Sequence, residues 1–308
     1  MRWLDHRDPV PAPLRGAIIA LGNFDGFHRG HQAVAGEAIA WARSEGRPAI
    51  VATFDPHPVR FFKPDVPPFR LTTLEQRQEL YLAAGASAML VFHFDGALAG
   101  TSAEDFIGDI LAGHLGARGI VTGEDFTFGK GAAGNAAMLA DLGAMYDIEA
   151  RTVAPVGEGG EVVSSSRIRT ALREGDPQEA ARLLTRPFAI RGIVEHGDKR
   201  GRTIGYPTAN LSIESYLRPK FGIYAVMGRV LATGETLQGA ANIGVRPQFE
   251  PPKELLEPYF FDYSGDLYGQ EIEVAFHHFL RGEAKFDSVD ALVEQMERDC
   301  AEARRLLA

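Results

Sequence analysis

Residues 16–31 read GAIIALGNFDGFHRGH, and the fold turns on how that stretch changes character. Its first six residues are an uninterrupted apolar run, the pattern of a short strand buried on both faces. Glycines at 22, 26 and 30 follow; they let a backbone turn tightly and come close to a ligand. A helix is predicted over 31–43. Strand, glycine turn and helix in that order put the unpaired N–H groups and partial positive charge of a helix start at the end of a strand, which is a phosphate site. His28 and His31 are three apart, so both imidazoles face one bound group there and can donate to triphosphate oxygens. His-x-x-His also suits zinc, but no cysteine and no acidic third ligand at metal spacing accompanies the pair, which counts against a metal there.

Outward from this stretch the alternation continues. Apolar runs at 49–54, 88–92, 119–122 and 148–153 read as strands, and helices are predicted over 73–83 and 103–111. Strands alternating with helices imply a parallel sheet covered on both faces, and such sheets bind ligands beyond the carboxyl ends of their strands. After Leu184 the helices nearly vanish. Short strands at 188–194, 222–230, 239–242, 259–262 and 271–279, with turn residues between them, read as a small antiparallel barrel. One amphipathic helix over 288–307 ends the chain, with Ser288 as N-cap and Val289, Leu292, Val293 and Met296 at helical spacing. The boundary falls between Leu184 and Phe188, giving two domains, 1–185 and 186–308.

Composition narrows the function classes. A chain of 308 residues, 45% hydrophobic, is long enough for two packed cores. The net charge of −9 argues against nonspecific nucleic-acid binding, which draws its affinity from neutralising phosphates, yet leaves room for local basic clusters that hold a nucleotide. Cys300 is the only cysteine, so no internal disulfide can form. Together with an N-terminus lacking a signal-type apolar core and the absence of any membrane-length apolar run, this sets a cytoplasmic expectation, with no membrane partner.

Three further segments belong with the first. Residues 54–58 read FDPHP, 123–129 read GEDFTFG and 164–169 read SSSRIR. Ser164, Ser165 and Ser166 precede a helical stretch, where they can cap it and offer hydroxyls beside free N–H groups. Arg169 adds a fixed fork of donors for phosphate. Asp125 either accepts a hydrogen bond from a ligand or caps a turn.

These segments, in this order, resemble the HIGH-type nucleotidyltransferase superfamily, which implies a Rossmann-like fold for the N-terminal half. The longer form GxFDGxHxGH resembles, more narrowly, the bacterial bifunctional riboflavin kinase/FAD synthetase family. That resemblance implies an ATP site from Gly22, Phe24, Asp25, His28, His31, Ser164, Ser165, Ser166 and Arg169. It makes Phe62 and Phe128 candidate stacking faces for flavin, each with core packing as the alternative, and Asp125 a flavin contact. The implied reaction moves AMP from ATP to the phosphate of FMN. The FMN phosphate is itself the nucleophile, so aligning the reactants and stabilising charge suffice, with Mg²⁺. Ser166 replaces the family's threonine, and Ala132 stands where many relatives carry arginine, next to Lys130.

The second half carries GDKRGRTIGYPTANL over 197–211. It lacks the ending of a Walker A loop. Gly197 and Gly201 form a backbone cradle, with Lys199 and Arg202 beside it. Thr208 and Asn210 are two apart, so in an extended chain they point the same way; two oxygens on one face suit Mg²⁺ shared with ATP, and a turn-capping pair is the alternative reading. The segment resembles the riboflavin kinase signature, with Ile204 and Tyr206 as mild departures. That resemblance makes Gly197, Lys199, Gly201, Arg202, Thr208 and Asn210 an ATP site, Thr208 and Asn210 the metal site, and Glu257 the base. Relatives carry histidine where this chain has Tyr259. Asp262, the nearest acidic competitor, lies five residues beyond Glu257 and so on the opposite face of a regular strand. NIGVRPQF (242–249) and FLRGEAKF (279–286) also match family stretches; Arg246 and Arg281 there either approach a ligand or form structural ion pairs. Riboflavin, FMN and ATP are the implied partners, and a monomer or weak homo-oligomer is expected.

Overall fold

The computed structural model describes residues 3–196, 205–213, 215–246 and 253–308. The chain packs as two units, one from Met1–Val66 and Leu74–Val163, the other from Pro67–Thr73 and Ser164–Ala308.

The first unit is built on a six-stranded parallel sheet, and its middle strands are nearly pure aliphatic runs. Strands β1 (Leu4–Asp5), β2 (Ile18–Leu21), β3 (Ala49–Asp55), β4 (Ala88–His93), β5 (Gly119–Gly123) and β8 (Glu149–Val153) lie in the order β1-β4-β3-β2-β5-β8. Short hairpins β6 (Thr127–Phe128) with β7 (Gly134–Asn135), and β9 (Gly157–Glu158) with β10 (Glu161–Val162), complete it. Alternate residues of β2 feed two cores. Ile19 and Leu21 pack on one face with Phe106, Ile107 and Leu139, while Ile18 and Ala20 pack on the other with Ala38, Trp41 and Tyr81. The order runs outward in both directions from β2, so β2 sits at the switch point where open α/β sheets hold ligands. Helix α1 (Arg29–Ser44) follows it directly. Further on come α2 (Pro58–Phe62), α3 (Leu74–Ala83), α4 (Gly96–Gly100), α5 (Ala103–Asp105) opening into a π-helical stretch Phe106–His114, and α6 (Ala136–Ala144). The expected strands and helices are present; β1 and the two hairpins, each strand only two residues long, give no periodic signal to read.

The second unit is an antiparallel sheet that curls on itself. Strands β11 (Phe188–Ile193), β12 (Leu211–Ser212), β13 (Gly222–Val230), β14 (Thr236–Arg246), β15 (Lys253–Phe260) and β16 (Glu271–Arg281) lie in the order β11-β16-β13-β14-β15-β12. A bridge between Glu195 and Asn210 joins the two outer strands, so the sheet closes nearly into a barrel. Phe188, Ile190, Leu211, Tyr224, Ile243, Leu256 and Phe276 fill its interior. Helices α7 (Ser165–Glu174) and α8 (Pro177–Leu184) pack within this unit. The terminal helix α9 (Val289–Leu307) begins at the Ser288 cap, whose side chain accepts from the Ala291 N–H. It lies over Ala225, Ala240 and Phe261 through Ala303, and Arg281 holds it by a bidentate pair with the buried carboxylate of Asp299 (2.6 and 3.0 Å). Arg281 is therefore a structural ion-pair residue.

One strand sits elsewhere than expected. The run expected over 259–262 is the end of β15, which occupies Lys253–Phe260. Asp262 lies beyond it in a left-handed turn (φ 56°), because the segment DYSG carries turn formers rather than alternating apolar residues.

Candidate active sites on the two units

Backbone conformation builds the first site. The loop from β2 to α1 holds Phe24 and Phe27 at φ 45° and Gly26 at φ 85°, and two non-glycine residues in the left-handed region make a strained turn. Side chains from α3 and β3 fix it from beneath. Arg77 donates to the Asp25 carboxylate at 2.9 Å, with the two side chains 3% and 2% exposed. It also donates to Thr53 Oγ1 at 3.1 Å, and Thr53 donates to the Asn23 carbonyl at 2.6 Å. Tyr81 Oη donates to the Phe24 carbonyl at 3.3 Å. Desolvation disfavours the charged form of Arg77, but the charge and hydrogen bond of Asp25, together with Tyr81 and Asp55, outweigh it, so its pKa is raised. Removing one partner of such a buried pair costs about 3–5 kcal/mol. Asp25, expected at the nucleotide, thus has its carboxylate turned into this network, and the ring of Phe24 is buried as well.

His28 is the N-cap of α1, its Nδ1 accepting from the His31 N–H at 3.4 Å. An accepting Nδ1 carries no proton, so Nε2 is the donor nitrogen. The two imidazoles stack with centroids 3.6 Å apart, and Phe24 meets His31 edge-on at 5.2 Å. A Cβ at Gly30 would stand 3.1 Å from the His28 ring and 3.4 Å from the Val163 carbonyl, so glycine there keeps the histidine in place. Gly22 closes the end of β2, its N–H bonded to the Ala52 carbonyl at 3.3 Å. Among the described residues no group of three His, Cys, Asp or Glu side chains is placed to hold a metal ion.

The aromatic candidates separate. Phe62 is 63% exposed, its ring edge-on to Phe61 and Phe94. Phe128 is buried in the core, 5.5 Å from Phe106 and stacked with Phe126 at 5.9 Å. Asp125 is exposed on the turn closed by the Phe126 N–H to the Gly123 carbonyl. Ala132 ends a short turn that starts at Lys130.

On the second unit, Ser164 caps α7 by accepting from the Arg167 N–H at 3.3 Å, with Ser165 opening the helix and Ser166 exposed. Arg169 donates to the Phe69 carbonyl at 2.9 Å and lies over the Phe69 ring. The barrel carries the other set. Leu211 pairs with Leu256, and the Ala209 N–H reaches the Pro258 carbonyl at 2.9 Å. Continuing that register sets Asn210 opposite Glu257 and Thr208 opposite Tyr259. Across the next ladder Asn242 is opposite Glu257, and its Nδ2 donates to Glu257 Oε2 at 3.5 Å. Directly opposed residues share a face, so Thr208, Asn210, Glu257 and Asn242 gather on one side of the sheet. Tyr206 and Tyr259 meet edge-to-face beside them at 5.0 Å. Asp262 is occupied elsewhere, ion-paired with Arg304 at 2.8 Å. Gly197, Lys199, Gly201 and Arg202 lie outside the described residues, as does the Arg246 side chain.

Sequence comparisons also find two parts in the chain. A family model described as FAD synthetase matches residues 10–167, and one described as riboflavin kinase matches 184–307. A bifunctional riboflavin kinase/FMN adenylyltransferase of Escherichia coli (strain K12) is 39% identical over 95% of this chain and 93% of its own length. The chain belongs to the bifunctional riboflavin kinase/FMN adenylyltransferase family. A member of that family from Bacillus subtilis (strain 168) is also 39% identical, over 94% of this chain and 92% of its own. A crystal structure described as that of a macrolide-efflux protein from Streptococcus pneumoniae matches with TM-score 0.86 at 32% identity, covering 97% of this chain and 96% of that one. No helix among the described residues of this family member is long and apolar enough to cross a membrane. Family motifs pointed to Glu257, Thr208 and Asn210; the stretch beginning at Asn242 matched the family without a role for Asn242 itself, and Arg77 and Thr53 drew no attention, because the partners of these three are 15, 52 and 30 residues away.

Proposed function

We propose that the barrel half phosphorylates riboflavin to FMN, and that the N-terminal half transfers AMP from ATP to the FMN phosphate, forming FAD and releasing pyrophosphate. What supports the reading is the presence in one chain of a FAD synthetase match over residues 10–167 and a riboflavin kinase match over 184–307, each spanning its own set of motif residues. We set the functional boundary between residues 185 and 186.

In the kinase step the terminal ribityl hydroxyl oxygen bonds to the γ-phosphorus of ATP, the bond from that phosphorus to the ADP oxygen breaks, and Glu257 takes the hydroxyl proton. Thr208 and Asn210 offer only oxygen and amide donors, which fits a hard cation that keeps waters and phosphates in its shell. Mg²⁺ bound there would neutralise charge on the transferring phosphate. Gly197, Lys199, Gly201 and Arg202 are assigned to the ATP phosphates.

In the adenylyl step the FMN phosphate attacks the α-phosphorus and pyrophosphate leaves. His28 donates through Nε2, and His31, the loop around Gly22 and the start of α1 add donors that stabilise the charge. Ser164, Ser165, Ser166 and Arg169 are assigned to ATP. Asp25 acts there by shaping the loop, and Phe24 through its backbone. Phe62 supplies an exposed ring for the flavin, with Phe128 as the buried wall behind the strand end and Asp125 at the rim. We place the enzyme in the cytoplasm as a monomer or weak homo-oligomer without nucleic-acid or membrane partners.

The test is incubation of the purified chain with riboflavin and ATP–Mg²⁺, with products resolved by chromatography. FMN and then FAD are expected; absence of both overturns the assignment.

A further inference from the structure

Glu257 does not stand alone on its face of the barrel. It is flanked on one side by Asn210, through the β12 register, and on the other by Asn242 of β14. Asn242 is not part of any role assigned so far. Its Nδ2 donates to Glu257 Oε2 at 3.5 Å, while its Oδ1 is buried with no partner among the described residues. The amide orientation follows from its neighbour: turned round, Oδ1 would face an ionised carboxylate that can only accept. A buried carbonyl left without a donor costs stability. A leucine of similar size at this strand position would avoid that cost, so holding asparagine here needs a reason outside the fold.

We infer that Asn242 is a positioning residue of riboflavin phosphorylation. Its amide N–H holds one oxygen of Glu257 and so sets how the carboxylate is turned toward the hydroxyl to be phosphorylated. Its own carbonyl takes a hydrogen bond from a second hydroxyl of the same polyol chain. The inference rests on the reading of Glu257 as the base.

The experiment compares Asn242→Leu, Asn242→Asp and Glu257→Gln in the full chain. Each is assayed for kcat and KM with riboflavin and with ATP, and for thermal melting. Asn242→Leu is expected to melt at or above the wild-type temperature, because it removes a buried unpaired acceptor. It should nevertheless lose on the order of 10–100-fold in kcat for riboflavin phosphorylation, with KM for riboflavin raised and KM for ATP unchanged. Asn242→Asp, which keeps the shape and removes the donor, should lose kcat to a similar extent and serves if the leucine variant does not fold. Wild-type kcat and riboflavin KM in a folded Asn242 variant, with Glu257→Gln inactive, overturn the role of Asn242 alone. So does a loss that falls equally on ATP KM and melting temperature, the mark of a structural residue. An active Glu257→Gln overturns the base assignment and this inference with it.

Discussion

The two surfaces proposed to hold phosphate are built in opposite ways. In the α/β unit the grip is local: ten consecutive residues from Gly22 to His31 supply the turn, the helix start and both imidazoles, and a buried network of Arg77, Asp25, Thr53 and Tyr81 sets their conformation from beneath. In the barrel the grip is spread over three strands. Thr208 and Asn210, Glu257 and Asn242 meet only because β12, β15 and β14 are in register. A helix start carries its own dipole and its own unpaired donors. A strand edge has neither, and must assemble side-chain oxygens and an added cation. The first design carries strain at Phe24 and Phe27; the second depends on register.

The sharpest way to break this comparison is to strike each grip singly. His28→Ala is expected to cut FAD formation by roughly 10²–10³-fold, as for loss of one preorganised donor, with FMN formation untouched. Asn210→Ala should do the reverse, blocking riboflavin phosphorylation while supplied FMN is still adenylated. Product chromatography with each substrate checks both; a variant that loses both activities contradicts separate sites.

Next in size is the network under the loop. Arg77→Met removes the guanidinium partner of the buried Asp25 carboxylate, and should destabilise by about 3–5 kcal/mol. Calorimetry should show an early transition carrying away FAD formation while the barrel still phosphorylates riboflavin. Adding Asp25→Leu removes the buried charge and should recover much of the stability without recovering adenylation, since the loop loses its anchor either way. Recovery of both would show the network to be packing alone. Smaller again is Tyr259→His, which exchanges the edge-to-face contacts with Tyr206 and Phe261 for the residue usual in relatives. A loss of about 1 kcal/mol and a riboflavin kinase rate within tenfold of wild type are expected from melting and steady-state assays.

The same contrast explains what could be read in advance. Residues 16–31 declare strand, turn and helix because the signal is contiguous and its period changes inside one window. The parallel core strands were legible for the same reason: β3 is seven residues with six buried. Family motifs brought Glu257 and Asn210 forward, but nothing near Asn242 says it will face Glu257, since register is a tertiary property. The left-handed turn at Asp262 was misread as strand because FFDY is locally β-favouring. Asp25 illustrates a subtler limit. Its place in the motif marks it as important, yet only the 2% exposure and the bond to Arg77 show that its carboxylate points inward.

The smallest effect separates the units by pH. Burial holds the pKa of His6, in the α/β unit, and of His277, in the barrel, below the ordinary 6.5; for His6 the neighbouring Asp5 offsets part of that, and for His277 the nearby His278 adds to it. Below the ordinary value and above the depressed one, the unfolded chain binds more protons than the folded one, so stability rises with pH there and is lost as pH falls under about 6.5. Melting temperatures measured from pH 7.5 to 5.5 should therefore decline on acidification. Gln at either position removes a titrating group that opposes folding in acid, so it should flatten the decline. His6→Gln should flatten it for the transition that carries away FAD formation, and His277→Gln for the one that carries away FMN formation. A steeper decline in either variant reverses the sign and shows that the histidine is held protonated in the fold; the same flattening of both transitions by one variant would mean the two units do not melt apart.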